Sequence, residues 1–375
     1  MDNLNKMIFL SKLFNNKTLR LIFFYCIIFL SFDFFLGQSV IDFLYKKNFL
    51  SNPNLIIETI NNEEKKYRIK HDYFHHTLKE NVEVVSRWGP FIYKTCTDQN
   101  GFRVVCDRLN QTANKKNIVL IGDSYTEGLG LNYEKTFAGM LSKSSNENII
   151  NMAVSSYSPL IYKKKIEYYL SKGIKIDQLF IFVDTSDIID ETRYYLCGNN
   201  SVCTGEELSI NNTDNVKNTK KVNFPMWKKI KRSIRLIKRK FLPKIHVYEK
   251  DFERSSWPYL KSNDKIEKGI KNSLKNMNEL FHYLKKRNIP ISLVVYPYPG
   301  QILYDQENSK QVRIWEKFCK SKCENFIDLF PIFFKEIKNN KRKAVVKKFY
   351  LKNDLHFNEL GNKKIFNHLI GLELF

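Results

Sequence analysis

The sequence predicts an α/β fold, a three-layer α/β/α arrangement around a parallel sheet, preceded by one N-terminal transmembrane helix. Three observations point there. From Asn117 onward, short β-rich apolar runs alternate with helical stretches, the order that builds a parallel sheet covered on both faces. Near the N-terminus, Leu19 to Leu36 (LRLIFFYCIIFLSFDFFL) is broken only by Arg20, Ser31 and Asp33, about the minimum length for a ~30 Å hydrocarbon core. Finally, 375 residues with 43% hydrophobic and 14% aromatic side chains supply ample core, which excludes wholesale disorder and a many-pass membrane protein.

Taken in order, residues 1–18 form a cytoplasmic N-terminus. Lys6, Lys12 and Lys17, with Arg20 at the start of the apolar run, stand against Asp2, and the positive-inside bias keeps that end in the cytoplasm and sends the rest across. Residues 19–36 are a signal anchor; a cleaved signal peptide is the rival, but no small-x-small cleavage site follows the apolar run. Residues 37–114 have no strong period and are expected to be a juxtamembrane connector with a disulfide-closed element around Cys96 and Cys106. The α/β domain occupies 115–375. Strands are expected at 117–121, 148–153, 179–184, 291–297 and 326–330, with helices near 133–144, 159–172, 264–287, 308–321 and 358–370. A polar insertion falls at about 197–262.

Apart from Cys26 in the apolar run, the cysteines form three close pairs, Cys96/Cys106, Cys197/Cys203 and Cys319/Cys323. Six cysteines allow fifteen connectivities; this spacing favours local bridges, which suit an oxidising, extracytoplasmic compartment. No pair is a CxxC and no nearby His completes a zinc site, so no metal is expected. The formal charge is +23, and part of it is grouped. Between Lys217 and Lys250 there are thirteen Lys/Arg and one acidic residue, and eight more basic residues lie between Lys335 and Lys352. Trp227, Ile230, Ile234, Ile237 and Phe241 recur at helical steps inside the first group, giving an apolar stripe on a cationic helix. Two uses stay open: the stripe packs on the domain, or residues 217–250 contact an anionic lipid or polysaccharide. Nucleic acid is not expected, since no reader motif accompanies the charge. Asn110, Asn199 and Asn211 begin glycosylation-type tripeptides, a pattern that arises by chance in Asn-rich sequence.

The chemistry concentrates at two places. Gly122-Asp123-Ser124 follows the strand NIVLI (117–121) and precedes a helix, which puts a serine at the carboxyl edge of a parallel sheet, where such sheets bind ligands. Backbone N–H groups at the helix start can stabilise a developing oxyanion. Near the other end, Asn353-Asp354-Leu355-His356-Phe357-Asn358 leads into the last helix. His356 is the base the serine needs, and Asp354 the group that orients it.

The combination resembles the SGNH/GDSL hydrolase family, specifically its membrane-anchored bacterial members, over about 115–375. The segment IGDSYTEGLGL matches the family's first block, NMAVSSYSP (151–159) the second, FVDTSDIID (182–190) occupies the third and VVYPYPGQI (294–302) resembles a stretch common in anchored relatives. The resemblance implies a flavodoxin-like fold with Ser124 as nucleophile, His356 as base and Asp354 as its partner. It also implies an oxyanion hole from Ser124, Ser156 and Ser186. Three positions depart from the family pattern: Asn353 stands where Asp is usual, three before His; Ser156 replaces a glycine; Ser186 replaces an asparagine. Asp123, Tyr157 and Tyr296 are further candidates for contact with substrate. Asp187, Asp190 and Glu191 either line the cleft or start a helix, and Tyr298 and Trp315 either stack on sugar rings or pack.

The implied activity is acyl-ester hydrolysis or O-acyl transfer through acyl-Ser124, on an O-acetylated cell-surface glycan, with no cofactor. The alternative is a catalytically inactive SGNH-like protein that binds or scaffolds glycan. A third class, a membrane or polyanion interaction protein, would rest on the basic insertion alone.

Overall fold

The computed structural model describes residues 17–46, 64–88, 90–107, 115–193, 226–227, 255–260 and 262–375. The chain divides into two compact units, residues 1–58 with 212–244 and residues 59–211 with 245–375. In the first, helix α1 spans Lys17–Lys46, and its window Arg20–Gly37, with mean hydropathy 1.9, is long and apolar enough to cross a membrane. Asp33 on this helix is fully buried. Its two carboxylate oxygens accept from the backbone N–H groups of Met226 and Trp227, each at 2.7 Å, so the one acidic side chain in the apolar run has polar partners, as burial of a charge demands.

The second unit is built on an eight-stranded sheet. Its strands are β3 (Glu83–Trp88), β4 (Phe91–Thr97), β5 (Arg103–Val104), β6 (Asn117–Ile121), β7 (Asn148–Asn151), β8 (Gln178–Val183), β9 (Ile291–Val295) and β10 (Asn325–Asp328). The spatial order is β10-β9-β8-β6-β7-β5-β4-β3. From β10 to β7 every pairing is parallel; β5, β4 and β3 continue it antiparallel. Strands β1 (Arg68–His71) and β2 (His75–Leu78) form a separate hairpin. Successive residues on the central strands, such as Phe180 and Ile181, are equally buried, so both faces of the sheet are covered. That explains why these strands read as unbroken apolar runs.

Helices supply the cover in two packed groups. One contains α4 (Pro159–Ser171), α5 (Asp187–Arg193) and α6 (Asp264–Lys285); the other joins α3 (Phe137–Ser144) to α11 (Glu359–Ile370). Helix α6 shows why the sequence folds this way. Asn263 caps it by accepting from the Ile266 N–H at 3.0 Å. Asp264 and Glu267 lie in its first turn and His282 and Lys285 in its last, matching the helix dipole at both ends. Its buried stripe is Ile266, Ile270, Met277, Leu280, Phe281 and Leu284.

Several expectations need correction. Residues 37–114 are not simply a connector: β3, β4 and β5 extend the main sheet, because β5 pairs with β7 through Arg103 and Asn151. The expected helix at 133–144 is a 3₁₀ turn (Tyr133–Lys135) followed by α3. Strand 326–330 stops at Asp328, whose carboxylate accepts from the Phe330 N–H at 2.9 Å and so starts α9 (Phe330–Ile337). Helices α7 (Pro299–Tyr304), α8 (Lys310–Cys319) and α10 (Arg342–Phe349) complete the unit, with a four-residue α2 (Ser124–Glu127) described below. Cys96 bonds Cys106 and Cys319 bonds Cys323, while Cys197, Cys203, the three glycosylation-type asparagines and most of the basic stretch 217–250 lie outside the described residues.

Close approach of α5 and α6 requires Gly269: a Cβ there would sit 2.1 Å from the Ile188 carbonyl oxygen. Gly269→Ala should therefore destabilise the domain by about 1–3 kcal/mol, seen as a lower midpoint in thermal unfolding; an unchanged midpoint would show that the two helices separate freely.

Candidate active site

The site is assembled from the first parallel strand and the loop before the last helix. Strand β6 ends at Ile121, and a Cβ on Gly122 would lie 2.5 Å from Thr126 Oγ1 and 3.0 Å from the Phe182 carbonyl, so the turn into α2 needs glycine there. Asp123 caps α2, its Oδ1 accepting from the Tyr125 N–H at 3.0 Å and from the Tyr296 hydroxyl at 2.8 Å. Gly128 closes the helix with φ +83°, the left-handed ending that glycine favours. Below it, the buried Arg103 guanidinium donates to the carbonyls of Glu127 (2.5 Å), Gly128 (2.6 Å) and Leu131 (2.6 Å). Ser124 is thereby set on a short turn fixed at both ends, and it remains 8% exposed.

The loop after α10 is pinched by a bridge between Tyr350 and Phe357. Within it the Leu351 N–H donates to the His356 carbonyl at 2.8 Å, and the Tyr125 hydroxyl donates to the Leu355 carbonyl at 2.7 Å, tying the loop to α2. Asn353 has φ +61° and is exposed; the next residue, Asp354, faces the imidazole. His356 Nδ1 lies 2.6 Å from Asp354 Oδ1, and His356 Nε2 lies 2.9 Å from Ser124 Oγ. With Nδ1–H donated to the carboxylate, Nε2 is left as the acceptor for the serine proton. Ser124 Oγ is also 3.1 Å from Asp123 Oδ2, a second direction for the same hydroxyl hydrogen. Asp354 Oδ2 accepts from the Trp88 indole N–H at 2.9 Å.

The electrostatics follow from these contacts. Burial alone would favour neutral His356, but the hydrogen bond and charge of Asp354, then the charges of Asp123 and Glu127, outweigh it and raise the imidazole above its ordinary value. Burial pushes the Asp354 carboxyl up; the His356 ring and N–H and the Trp88 N–H overcome this and hold it below the usual range. The pair is an imidazole made more basic by a carboxylate that stays ionised.

Of the three expected oxyanion positions, one is a backbone N–H at a helix start, one lies on an exposed turn and one is a buried hydroxyl. The Ser124 N–H opens α2, where no intrahelical acceptor exists. Ser156 is exposed with φ +64°, the left-handed region that glycine favours, and its N–H has no acceptor among the described residues. Its neighbours are held from three sides. The Ser155 N–H donates to Glu127 Oε2 (2.5 Å), itself paired with Arg68 at 3.3 Å; the Ser155 carbonyl accepts from His76 Nε2 at 2.8 Å; and the Tyr157 hydroxyl donates to the His76 carbonyl at 2.5 Å. Burial, then the charge of Arg68, push the His76 pKa far down, so the ring is neutral with its proton on Nε2. Ser186 Oγ is fully buried and has no partner among the described residues.

The other candidates are buried, and the alternatives that the sequence left open fall to helix starts and packing. Asp123, Tyr157 and Tyr296 are all 3% exposed or less; their polar groups hold the Ser124 turn and the 155–157 loop and do not line an open surface. Tyr298 and Trp315 are packed in the core. Asp187 begins α5, and burial, then the charges of Asp184, Asp123 and Asp190, drive its pKa far up. Glu191 caps α4, accepting from the Leu160 N–H (2.6 Å) and the Ser158 hydroxyl (2.9 Å). Sequence reasoning missed Arg68, His76, Trp88 and Arg103, and also Trp257, whose indole donates to the Thr185 carbonyl at 2.8 Å.

No family model matches the chain, and no curated protein sequence matches it. Solved structures with a similar course of chain include a lipolytic protein of the G-D-S-L family from Desulfitobacterium hafniense, 15% identical, covering 69% of this chain and 99% of that one at a TM-score of 0.38. A member of the same family from Veillonella parvula is 12% identical over 69% and 98%, TM-score 0.38. The psychrotrophic esterase EstA from a Pseudoalteromonas species is 12% identical over 68% and 95%, TM-score 0.36. At such identities and TM-scores the likeness carries no argument, and the chemistry rests on the geometry of Ser124, His356 and Asp354.

With a neutral His356 as base, ester turnover should rise with pH along a limb centred above the ordinary histidine value of 6.5. In Asp354→Asn that midpoint should move down, because the charge that raised it is gone, while the plateau rate falls by about 10⁴. A pH–rate profile of both proteins on a chromogenic acetate ester checks this; an unmoved midpoint would separate Asp354 from His356.

Proposed function

We propose that this protein is an SGNH-type serine-dependent acyl-ester hydrolase or O-acyltransferase, facing the extracytoplasmic side of a membrane and acting on O-acetylated cell-surface glycan. The observation that carries the reading is the continuous relay Asp354–His356–Ser124, with contacts of 2.6 and 2.9 Å. Ser124 Oγ attacks the ester carbonyl as His356 Nε2 takes its proton. The tetrahedral oxyanion is met by the N–H groups of Ser124 and Ser156 and by the Ser186 hydroxyl. His356 then gives its proton to the departing alkoxide, leaving acyl-Ser124. Water activated by His356 completes hydrolysis; a sugar hydroxyl in its place completes transfer. Asp354 orients the imidazole and stabilises its cation throughout.

Location is supported by the apolar window Arg20–Gly37, by the basic residues before it and by the two bridged cysteine pairs. A glycan acceptor is consistent with the exposed Lys335, Lys338, Lys341, Lys343, Lys347 and Lys352, which approach the His356 loop along the sequence and suit an anionic polymer. The basic stretch 217–250 extends the same proposal to an anionic lipid or polysaccharide.

The full-length protein in detergent should be labelled by a fluorophosphonate. Labelling should vanish in Ser124→Ala and slow by at least about 10² in His356→Ala. Labelling that is absent, or that survives Ser124→Ala, would overturn the enzyme and favour a non-catalytic glycan-binding protein. Ser186→Ala should lower ester turnover by about 10²–10³ if its hydroxyl meets the oxyanion; an unchanged rate would leave the two backbone N–H groups as the donors.

A further inference from the structure

We propose that Trp88 is a positioning residue of this site: the indole N–H fixes the plane of the Asp354 carboxylate so that Oδ1 stays on His356 Nδ1. The inference rests on the reading of Ser124, His356 and Asp354 as one relay and adds to it a group from outside the parallel part of the sheet.

Asp354 divides its two oxygens cleanly. Oδ1 accepts from His356 Nδ1 at 2.6 Å and from the His356 backbone N–H at 3.0 Å. Oδ2 accepts from Trp88 Nε1 at 2.9 Å. The torsion that turns a carboxylate about its Cβ–Cγ bond is broad, and the Asp354 side chain is 21% exposed, so water competes for Oδ2 and for the orientation of the group. A fixed donor on the far oxygen removes that freedom. The Trp88 ring also stands edge-to-face on the His356 ring, with centroids 5.4 Å apart and planes at 86°, so one side chain bounds both members of the pair.

The chemistry of the donor suits the task. Indole N–H donates and cannot accept. It therefore does not compete for the imidazole proton, and it cannot draw a proton from His356 when the imidazolium forms. A serine, a water or a neutral histidine at the same place could also act as an acceptor. The hydrogen bond also favours the ionised carboxylate, the form that must face the imidazolium.

Placement is rigid. Trp88 ends β3 and pairs with Phe91 across the β3–β4 turn, so the indole is carried by a hairpin joined to the main sheet through β5. The bond spans 266 positions in the sequence and brings a strand from the region expected to be a connector onto the loop that precedes α11.

The test is a double-mutant cycle on the full-length protein, read by the rate of fluorophosphonate labelling and by the split of kcat from KM on a chromogenic acetate ester. Trp88→Phe keeps a ring and removes the N–H. It should slow labelling by about tenfold to a hundredfold, the worth of a hydrogen bond to a charged group, and lower kcat with KM nearly unchanged. In an Asp354→Ala background the same substitution should cost nothing further, since its target is absent. An unchanged rate in Trp88→Phe, or an equal loss in both backgrounds, would overturn the proposal. A wild-type protein that fails to label overturns the nucleophile instead. The low-field proton resonance of His356 Nδ1–H, identified by its absence in His356→Ala, then still decides the role of Trp88 without turnover: it shifts or broadens in Trp88→Phe, or the proposal falls.

Discussion

A buried guanidinium holds the Ser124 turn in place. Arg103 is 1% exposed, and a charge so placed is tolerated only where it is hydrogen-bonded. Besides the Lys94 carbonyl on β4, its partners include three carbonyls at and beyond the end of the short helix that starts with Ser124, groups that a four-residue helix cannot satisfy internally. The arrangement serves both sides: the helix end needs donors and the guanidinium needs acceptors. Remove Arg103 and the carbonyls of residues 127, 128 and 131 lose their partners inside the core, with Ser124 one turn away.

Arg103 belongs to the strand that joins the antiparallel and parallel parts of the sheet, and the same N-terminal region supplies three more holds. Arg68 fixes Glu127, which anchors the Ser155 N–H; His76 takes the Ser155 carbonyl; Trp88 takes Asp354. Each acts on a residue of the proposed site or on one near it in sequence. Burial pushes Lys165 down to about 7 among the Phe74, Tyr157 and Tyr169 rings, and its Nζ donates to the Tyr157 hydroxyl at 3.2 Å, which packs the first hairpin against the 155–157 loop. The second unit is one architecture in which an N-terminal β region supports the geometry of a C-terminal site.

The parallel strands were legible because a strand buried on both faces is an uninterrupted apolar run, as in NIVLI and ISLVV. Strand β3 was not, since its pattern is inverted: Ser86 is buried and bonded to the Thr95 hydroxyl at 2.9 Å, while Val85 is 57% exposed. Helix α9 was hidden by its own apolarity, which read as the continuation of a strand until the Asp328 carboxylate capped Phe330. Ser124, Asp354 and His356 stood out because each belongs to a local pattern beside a recognisable element. Arg103 and His76 bond to backbone, and Trp88 to a residue distant in sequence. Such contacts leave no periodicity or spacing, and only the folded chain reveals them.

Ser124 and His356 are separated by 232 positions, and at roughly 5–20 residues per second the ribosome adds the histidine about ten to fifty seconds after the serine. During that interval the hydroxyl has no imidazole to take its proton. In the proposed site Ser124 therefore has no base until His356 has been added, and a chain cut short before His356 lacks that base altogether.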